Sequence, residues 1–149
     1  MEIVTTGVEE TFALGEKLGK SLHGGEVIEL VGDIGAGKTA LTKGIAKGMG
    51  VDDDVQSPTF TISRLYEGRN RIRLAHYDFY RLQEAGIMNA ELSESVHDPE
   101  TVTIVEWAEI VEGVLPEDRT QIVISSPTES TRVFHIKPST SLALVELLS

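Results

Sequence analysis

Eight consecutive residues, Gly32-Asp33-Ile34-Gly35-Ala36-Gly37-Lys38-Thr39, limit what this chain can fold into more than any other feature. They fit the spacing G-x-x-x-x-G-K-[ST], a glycine-rich turn that joins a buried strand to a helix. Both flanking elements are expected here. Residues 26–31 precede the turn, and their apolar members suit a mostly buried strand. Residues 40–49 follow as a helix, with Leu41, Ile45 and Met49 on one face at spacing four and Gly50 as the stop. In such a turn glycines let successive N–H groups point at phosphate oxygens, and the helix N-terminus adds partial positive charge. Asp33, Ile34, Gly35, Ala36 and Gly37 are then the phosphate cradle. Lys38 is placed to reach the β- and γ-phosphates, and the Thr39 hydroxyl to ligate Mg²⁺.

The chain has 149 residues, which predicts one domain. Its apolar content of 40% supplies an ordinary globular core. It has no cysteine, so no disulfide partner and no thiolate metal site is expected. The acidic start, from Met1 to Glu10, does not read as a signal peptide. No stretch approaches the roughly 20 apolar residues of a membrane span. A cytoplasmic protein with no membrane partner is therefore expected. The net charge of −11 argues against broad phosphate-driven binding to nucleic acid. Arg64, Arg69, Arg71, Arg73 and Arg81 nevertheless lie close in sequence. They read either as a solvated hairpin face, the preferred reading, or as a patch for an acidic partner or RNA.

Residues 3–5 read as a first strand. Thr6-Gly7-Val8-Glu9 has capping-box spacing and starts a helix whose buried face holds Phe12, Leu18 and Leu22, with Gly24-Gly25 as its end. After the glycine-rich turn and its helix, residues 59–66 and 71–79 form a strand pair around Glu67-Gly68-Arg69-Asn70. Ile72, Leu74, His76 and Asp78 share one face of the second strand. Residues 82–100 are polar and acidic and read as short helices and loop. Further elements are a buried strand at 102–105, a short helix at 108–112, strands at 121–124 and 132–136, and a final helix at 139–148. Seven strands with few full helices predict an α/β domain of P-loop NTPase type, with a mixed parallel/antiparallel sheet and helices on both faces.

Such a site needs an acid for Mg²⁺ at the end of a buried strand. Glu106, directly after the strand at 102–105, is the first candidate, and Asp78 is the second. Asp78 can also bond the Thr39 hydroxyl or hold a water on the metal. Ser57-Pro58-Thr59-Phe60-Thr61 falls where many P-loop proteins keep a loop that senses the γ-phosphate. His76 is either a polar anchor near the site or a packed histidine, and taken alone the packed histidine is the preferred reading. Trp107, the only tryptophan, either packs in the core or covers the nucleotide site. There is no N-K-x-D for guanine, no ABC-type signature and no arginine-rich lid, which favours ATP with hydrolysis or switching.

Four blocks occur in order: the glycine-rich turn, Ser57-Pro58-Thr59-Phe60-Thr61, His76-Tyr77-Asp78-Phe79-Tyr80-Arg81-Leu82, and Val105-Glu106-Trp107. Together they resemble the TsaE family, the small bacterial ATPases of tRNA threonylcarbamoyladenosine biosynthesis, over most of the chain. The resemblance implies a P-loop α/β fold that binds ATP with Mg²⁺ and hydrolyses it slowly when alone. It also implies two partners, TsaB and TsaD, whose complex transfers a threonylcarbamoyl group to adenosine in tRNA. tRNA is then met only through that complex, which the ATP cycle resets between turnovers.

On this chain the resemblance makes Lys38 a phosphate ligand, Thr39 and Glu106 the Mg²⁺ ligands, and Thr59 and Thr61 parts of a switch-like loop. Asp78 supports the metal site, Trp107 stands beside it, and Val8 and Arg132 contact the nucleotide. Ala108 stands where the family often has proline, and Ile34 where many members have leucine. Residues 84–100 match loosely. Two other readings are a small-molecule P-loop kinase and a non-catalytic module that docks a partner when ATP is bound.

Overall fold

The structure, a computed structural model, describes residues 1–32, 37–52, 55, 63–79, 86 and 88–140. Among them, strands β1 (Glu2–Thr5), β2 (Val27–Val31), β3 (Ser63–Glu67), β4 (Arg73–Asp78), β5 (Thr101–Glu106), β6 (Thr120–Ser125) and β7 (Arg132–Lys137) build one sheet in the order β1-β7-β6-β2-β5-β4-β3. The central strands are parallel: β2 lies between β5 and β6, and β4 follows β5. The outer pairs β1–β7, β6–β7 and β3–β4 are antiparallel. This is the mixed α/β sheet expected from the pattern of elements. The strand expected at 59–66 is described only from Ser63, and the final helix expected at 139–148 lies almost wholly outside the described residues.

Alternation along each strand sorts the side chains between two faces. Ile28, Leu30, Leu74, Val102, Ile104, Ile122 and Ile124 face helices α1 (Val8–Lys20) and α2 (Lys38–Gly48). Val27, Ala75, Tyr77 and Val105 face α3 (Met88–His97) and a single 3₁₀ turn, Ala108–Val111. So helices cover both faces. The acidic stretch expected as short helices and loop contains the ten-residue α3, which buries Leu92 and Val96. Two acids of the β2 region are buried because each is satisfied. Glu26 accepts the amides of His23 and Gly24 at 2.8 and 2.7 Å. Glu29 accepts from Arg119 Nε at 2.9 Å and Gln121 Nε2 at 3.2 Å.

The start of α1 differs in detail from the expected capping box. Gly7 is the N-cap residue, and the Thr6 amide and hydroxyl both bond Glu10, not Glu9. Those bonds hold the Glu10 carboxyl below its usual range. Phe12 is only half-buried, while Leu14 and two glycines complete the inner face.

The glycines bring α1 and α2 into backbone contact. A Cβ on Gly15 would stand 2.4 Å from the Leu41 carbonyl oxygen, and one on Gly44 would stand 2.2 Å from that of Phe12. Gly19 and Gly48 repeat the arrangement one turn on, at 2.1 and 2.2 Å from the carbonyl oxygens of Ile45 and Glu16.

Arg69 corrects the reading of the arginine cluster as one solvated face or one patch. Its guanidinium donates to the carbonyls of Gly48 at 2.5 Å, Leu22 at 2.8 Å, Lys20 at 3.2 Å and Gly19 at 3.3 Å. A cation at the C-terminal ends of α1 and α2 satisfies exposed carbonyls and meets the negative end of each helix dipole. Arg73 pairs with Asp98 at 2.9 Å. Arg64 and Arg71 are exposed, and Arg81 lies outside the described residues. Among the described residues no helix is long and apolar enough to cross a membrane.

Two outcomes follow for stability, both read by urea denaturation. Gly44→Ala should lower the unfolding free energy by about 2–3 kcal/mol through overpacking at backbone, whereas Gly113→Ala, whose new methyl would meet nothing within 4 Å, should stay within about 0.5 kcal/mol of the parent. Arg69→Ala should cost about 2 kcal/mol. Arg69→Lys should recover only part of that, because a single ammonium does not span carbonyls of two helices.

Candidate functional site

The parallel strands β2, β4 and β5 end on the same edge of the sheet, where ligands gather in open α/β folds. Leu30, Glu106 and Asp78 occupy one row across that edge, Leu30 opposite Glu106 and Glu106 opposite Asp78. The chain leaves β2 at Val31 and returns as α2 at Lys38. Gly37 is the N-cap of α2 in a left-handed conformation, φ 104°, which glycine alone adopts at little cost.

Lys38 and Glu106 are both buried, and Nζ lies 3.6 Å from Oε1. The other carboxylate oxygen, Oε2, is 2.5 Å from Nε2 of His76, which is also buried. A carboxylate oxygen accepts, so Nε2 is the donor. The Lys38 ammonium also sits 4.5 Å above the Trp107 ring, a cation–π contact. Trp107 itself has φ 55° and ψ 52°. A left-handed tryptophan costs on the order of 1–3 kcal/mol and persists only where its surroundings enforce it. Here it directly follows Glu106 and turns the chain into the 3₁₀ segment. Its ring thus lies against Lys38 and also packs on the hydrophobic cluster that contains Val105, Ala108 and Val111, so it joins the core to the head of α2.

Thr39 is exposed in the first turn of α2. Asp78 is half-buried next to Glu106, and the Phe79 amide bonds the Glu106 carbonyl at 3.1 Å, pinning the end of β4 to β5. Arg132 packs on the start of α2: a Cβ on Gly37 would lie 3.7 Å from its Cγ. Val8 is 73% exposed and opens α1 three residues after Thr5, the register partner of Arg132. The structure therefore groups Lys38, Glu106, His76, Trp107 and Asp78, and sets Gly37 and Arg132 against each other beside them. Asp33, Ile34, Gly35, Ala36, Thr59 and Thr61 lie outside the described residues.

His76 is the member that sequence reasoning misses, since read alone it is expected to be a packed histidine, whereas here it bonds Glu106. The usable signal is its shared face with Asp78, two residues on, once β4 is known to pair with β5.

Mg²⁺ takes hard oxygen donors and is bound through one or two carboxylates together with substrate phosphates. Glu106 and Asp78, opposite each other at the ends of β5 and β4, and the hydroxyl of Thr39 in the first turn of α2 are donors of that kind, so the chemistry of these residues fits the ion.

A mixed sheet with a parallel centre, whose strand β2 is joined by a glycine-rich sequence to a helix headed by a buried lysine, is the P-loop type of α/β fold. The family model described as "Threonylcarbamoyl adenosine biosynthesis protein TsaE" matches residues 5–134. Among curated relatives, the tRNA threonylcarbamoyladenosine biosynthesis protein TsaE of Bacillus subtilis is 40% identical over 128 residues, 86% of this chain and 79% of that protein. The protein of the same name from a Nostoc species is 35% identical over 133 residues, 87% and 81% of the two chains. The crystal structure of YdiB from Bacillus subtilis superposes with a TM-score of 0.74 at 35% identity, covering 93% of this chain and 85% of that one. The chain belongs to the TsaE family.

The buried triad carries a stability consequence. Glu106→Ala should lower the unfolding free energy of the ligand-free protein by about 3 kcal/mol, because it leaves the buried Lys38 ammonium without its counter-charge and the His76 N–H without its acceptor. Glu106→Gln, which keeps one carbonyl acceptor, should recover part of that loss in the same denaturation measurement.

Proposed function

We propose that this protein is the Mg²⁺-dependent ATP-binding and hydrolysing subunit of the machinery that makes threonylcarbamoyladenosine in tRNA. The observation that carries the reading is the buried Lys38–Glu106 pair at the head of α2, directly after the glycine-rich turn. A buried ammonium whose nearest carboxylate among the described residues is 3.6 Å away, beyond hydrogen-bond length, is poised to be drawn to a stronger anion. Nucleotide phosphates arriving at the N-terminus of α2 are such an anion. Lys38 then turns from Glu106 and Trp107 toward the phosphates, and the freed Oε1 becomes available as a metal ligand. Thr39 and Glu106 would hold Mg²⁺, with Asp78 beside them. The ion would supply charge neutralisation on the phosphates. Thr59 and Thr61 are proposed as the segment that responds to the γ-phosphate, and Val8 and Arg132 as nucleotide contacts.

Family membership supports the tRNA-modification setting, and the resemblance extends it to TsaB and TsaD as the partners whose complex is regulated or reset. The net charge of −11 agrees with meeting tRNA through that complex and not directly.

The test is steady-state ATP hydrolysis with Mg²⁺, comparing the protein alone with the protein plus the TsaB–TsaD complex of its own organism. Slow turnover alone, stimulated by the complex, is expected. Lys38→Ala should remove the stimulation and weaken ATP binding at least about tenfold, the equivalent of one charge-assisted hydrogen bond. Tight ATP binding without stimulation would favour a nucleotide-gated docking module, and a phosphorylated small molecule would favour a kinase.

A further inference from the structure

We infer that His76 is a positioning residue for the metal: it holds one oxygen of Glu106 so that the other is presented to Mg²⁺ at the head of α2. The inference rests on the nucleotide reading above and goes beyond it, since it assigns to a buried histidine of β4 a part in ion binding that it performs without touching the ion.

The placement comes from the sheet. β4 and β5 run parallel in the register His76 opposite Ile104 and Asp78 opposite Glu106. His76 and Glu106 are therefore diagonal neighbours on the face that carries α1 and α2, and a long side chain from each strand bridges the offset. The bridge is short and dry: Nε2 to Oε2 is 2.5 Å, with His76 1% and Glu106 4% exposed. Nδ1 of the same ring has no hydrogen-bond partner among the described residues. The bond to Glu106 is thus the one polar contact among them that orients the imidazole.

The geometry divides the carboxylate. Oε2 is committed to His76 and Oε1 faces Lys38 at 3.6 Å. A glutamate on its own rotates about three side-chain bonds and can offer either oxygen, both or neither. With Oε2 tethered, those rotations are settled before the ligand arrives, and Oε1 is the oxygen that becomes available when Lys38 leaves. Mg²⁺ demands near-ideal octahedral geometry, so a carboxylate fixed in one orientation gains more than a mobile one. Partners that orient a metal ligand without binding the metal are worth about 10–100-fold in affinity. A histidine that only fills space and satisfies a buried acid would affect folding stability and nucleotide affinity alike, with no special bearing on the ion.

The experiment separates these cases by equilibrium binding of a non-hydrolysable ATP analogue, titrated with MgCl₂ and repeated in EDTA. His76→Ala should raise the Mg²⁺ concentration for half-maximal enhancement of analogue binding about tenfold, while affinity in EDTA changes less than about twofold. His76→Gln, whose side-chain amide can still donate to Oε2, should restore most of the Mg²⁺ response. If His76→Ala does not fold, His76→Asn, polar but shorter, takes its place with the same expectation. An equal loss with and without Mg²⁺, or an unchanged Mg²⁺ response with lowered thermal stability, overturns the positioning role and leaves the nucleotide reading intact. Analogue binding by the parent protein that ignores Mg²⁺ altogether overturns both.

Discussion

Glu106 is 4% exposed and ends a strand flanked on both sides by parallel neighbours, so its charge is kept in the fold only by the groups that face it. Those groups come from three separate elements. Lys38 arrives from the first residue of α2, His76 from β4, and the Trp107 ring closes over the lysine. Removing a buried carboxylate from water costs several kcal/mol unless it is paired and hydrogen-bonded. The satisfied arrangement therefore ties α2, β4 and β5 together at the edge where the glycine-rich turn emerges. It also explains why a tryptophan is held in a left-handed conformation there: the chain must reverse immediately after Glu106 while keeping the ring on Lys38.

The far end of α2 is held by a different device. Arg69, at the tip of the β3–β4 hairpin, gathers carbonyls from the C-terminal ends of both α1 and α2. Between the two ends, four glycines let the helices touch at backbone distance. Close packing of this kind transmits displacement instead of absorbing it. The helix that carries Lys38 and Thr39 is thus fixed to α1 along its length, to the hairpin at its C-terminus and to the sheet by Leu41 and Ile45.

The TsaE family assignment and this geometry fit one another without additional assumptions. The hydrolysis proposed for this domain would need little covalent chemistry from the protein, because phosphoryl transfer to water depends on positioning and charge. The residues brought together are of the kinds that position and neutralise: a lysine, two carboxylates, a hydroxyl at a helix start and a histidine tethered to one of the acids.

Much of this was legible in the sequence. The strand and helix on either side of the glycine-rich sequence, the buried strand ending at Glu106 and the mixed character of the sheet follow from local chemistry: glycine spacing, apolar alternation, and hairpin turns between short strands. Those signals act over a few residues, so they survive without knowledge of the neighbours. Strand order is another matter. Nothing local states that β4 lies beside β5 in parallel register, and on that pairing rests the contact of His76 with Glu106. The role of Arg69 was hidden for the same reason. Read in sequence it belongs to a cluster of arginines, while in space its partners are carbonyls 21 to 50 residues away. The sequence by itself determined which side chains have the chemistry for a nucleotide site. Only the tertiary structure decided which of them share one buried carboxylate, because that choice depends on long-range pairing between strands and on the desolvation that such pairing imposes.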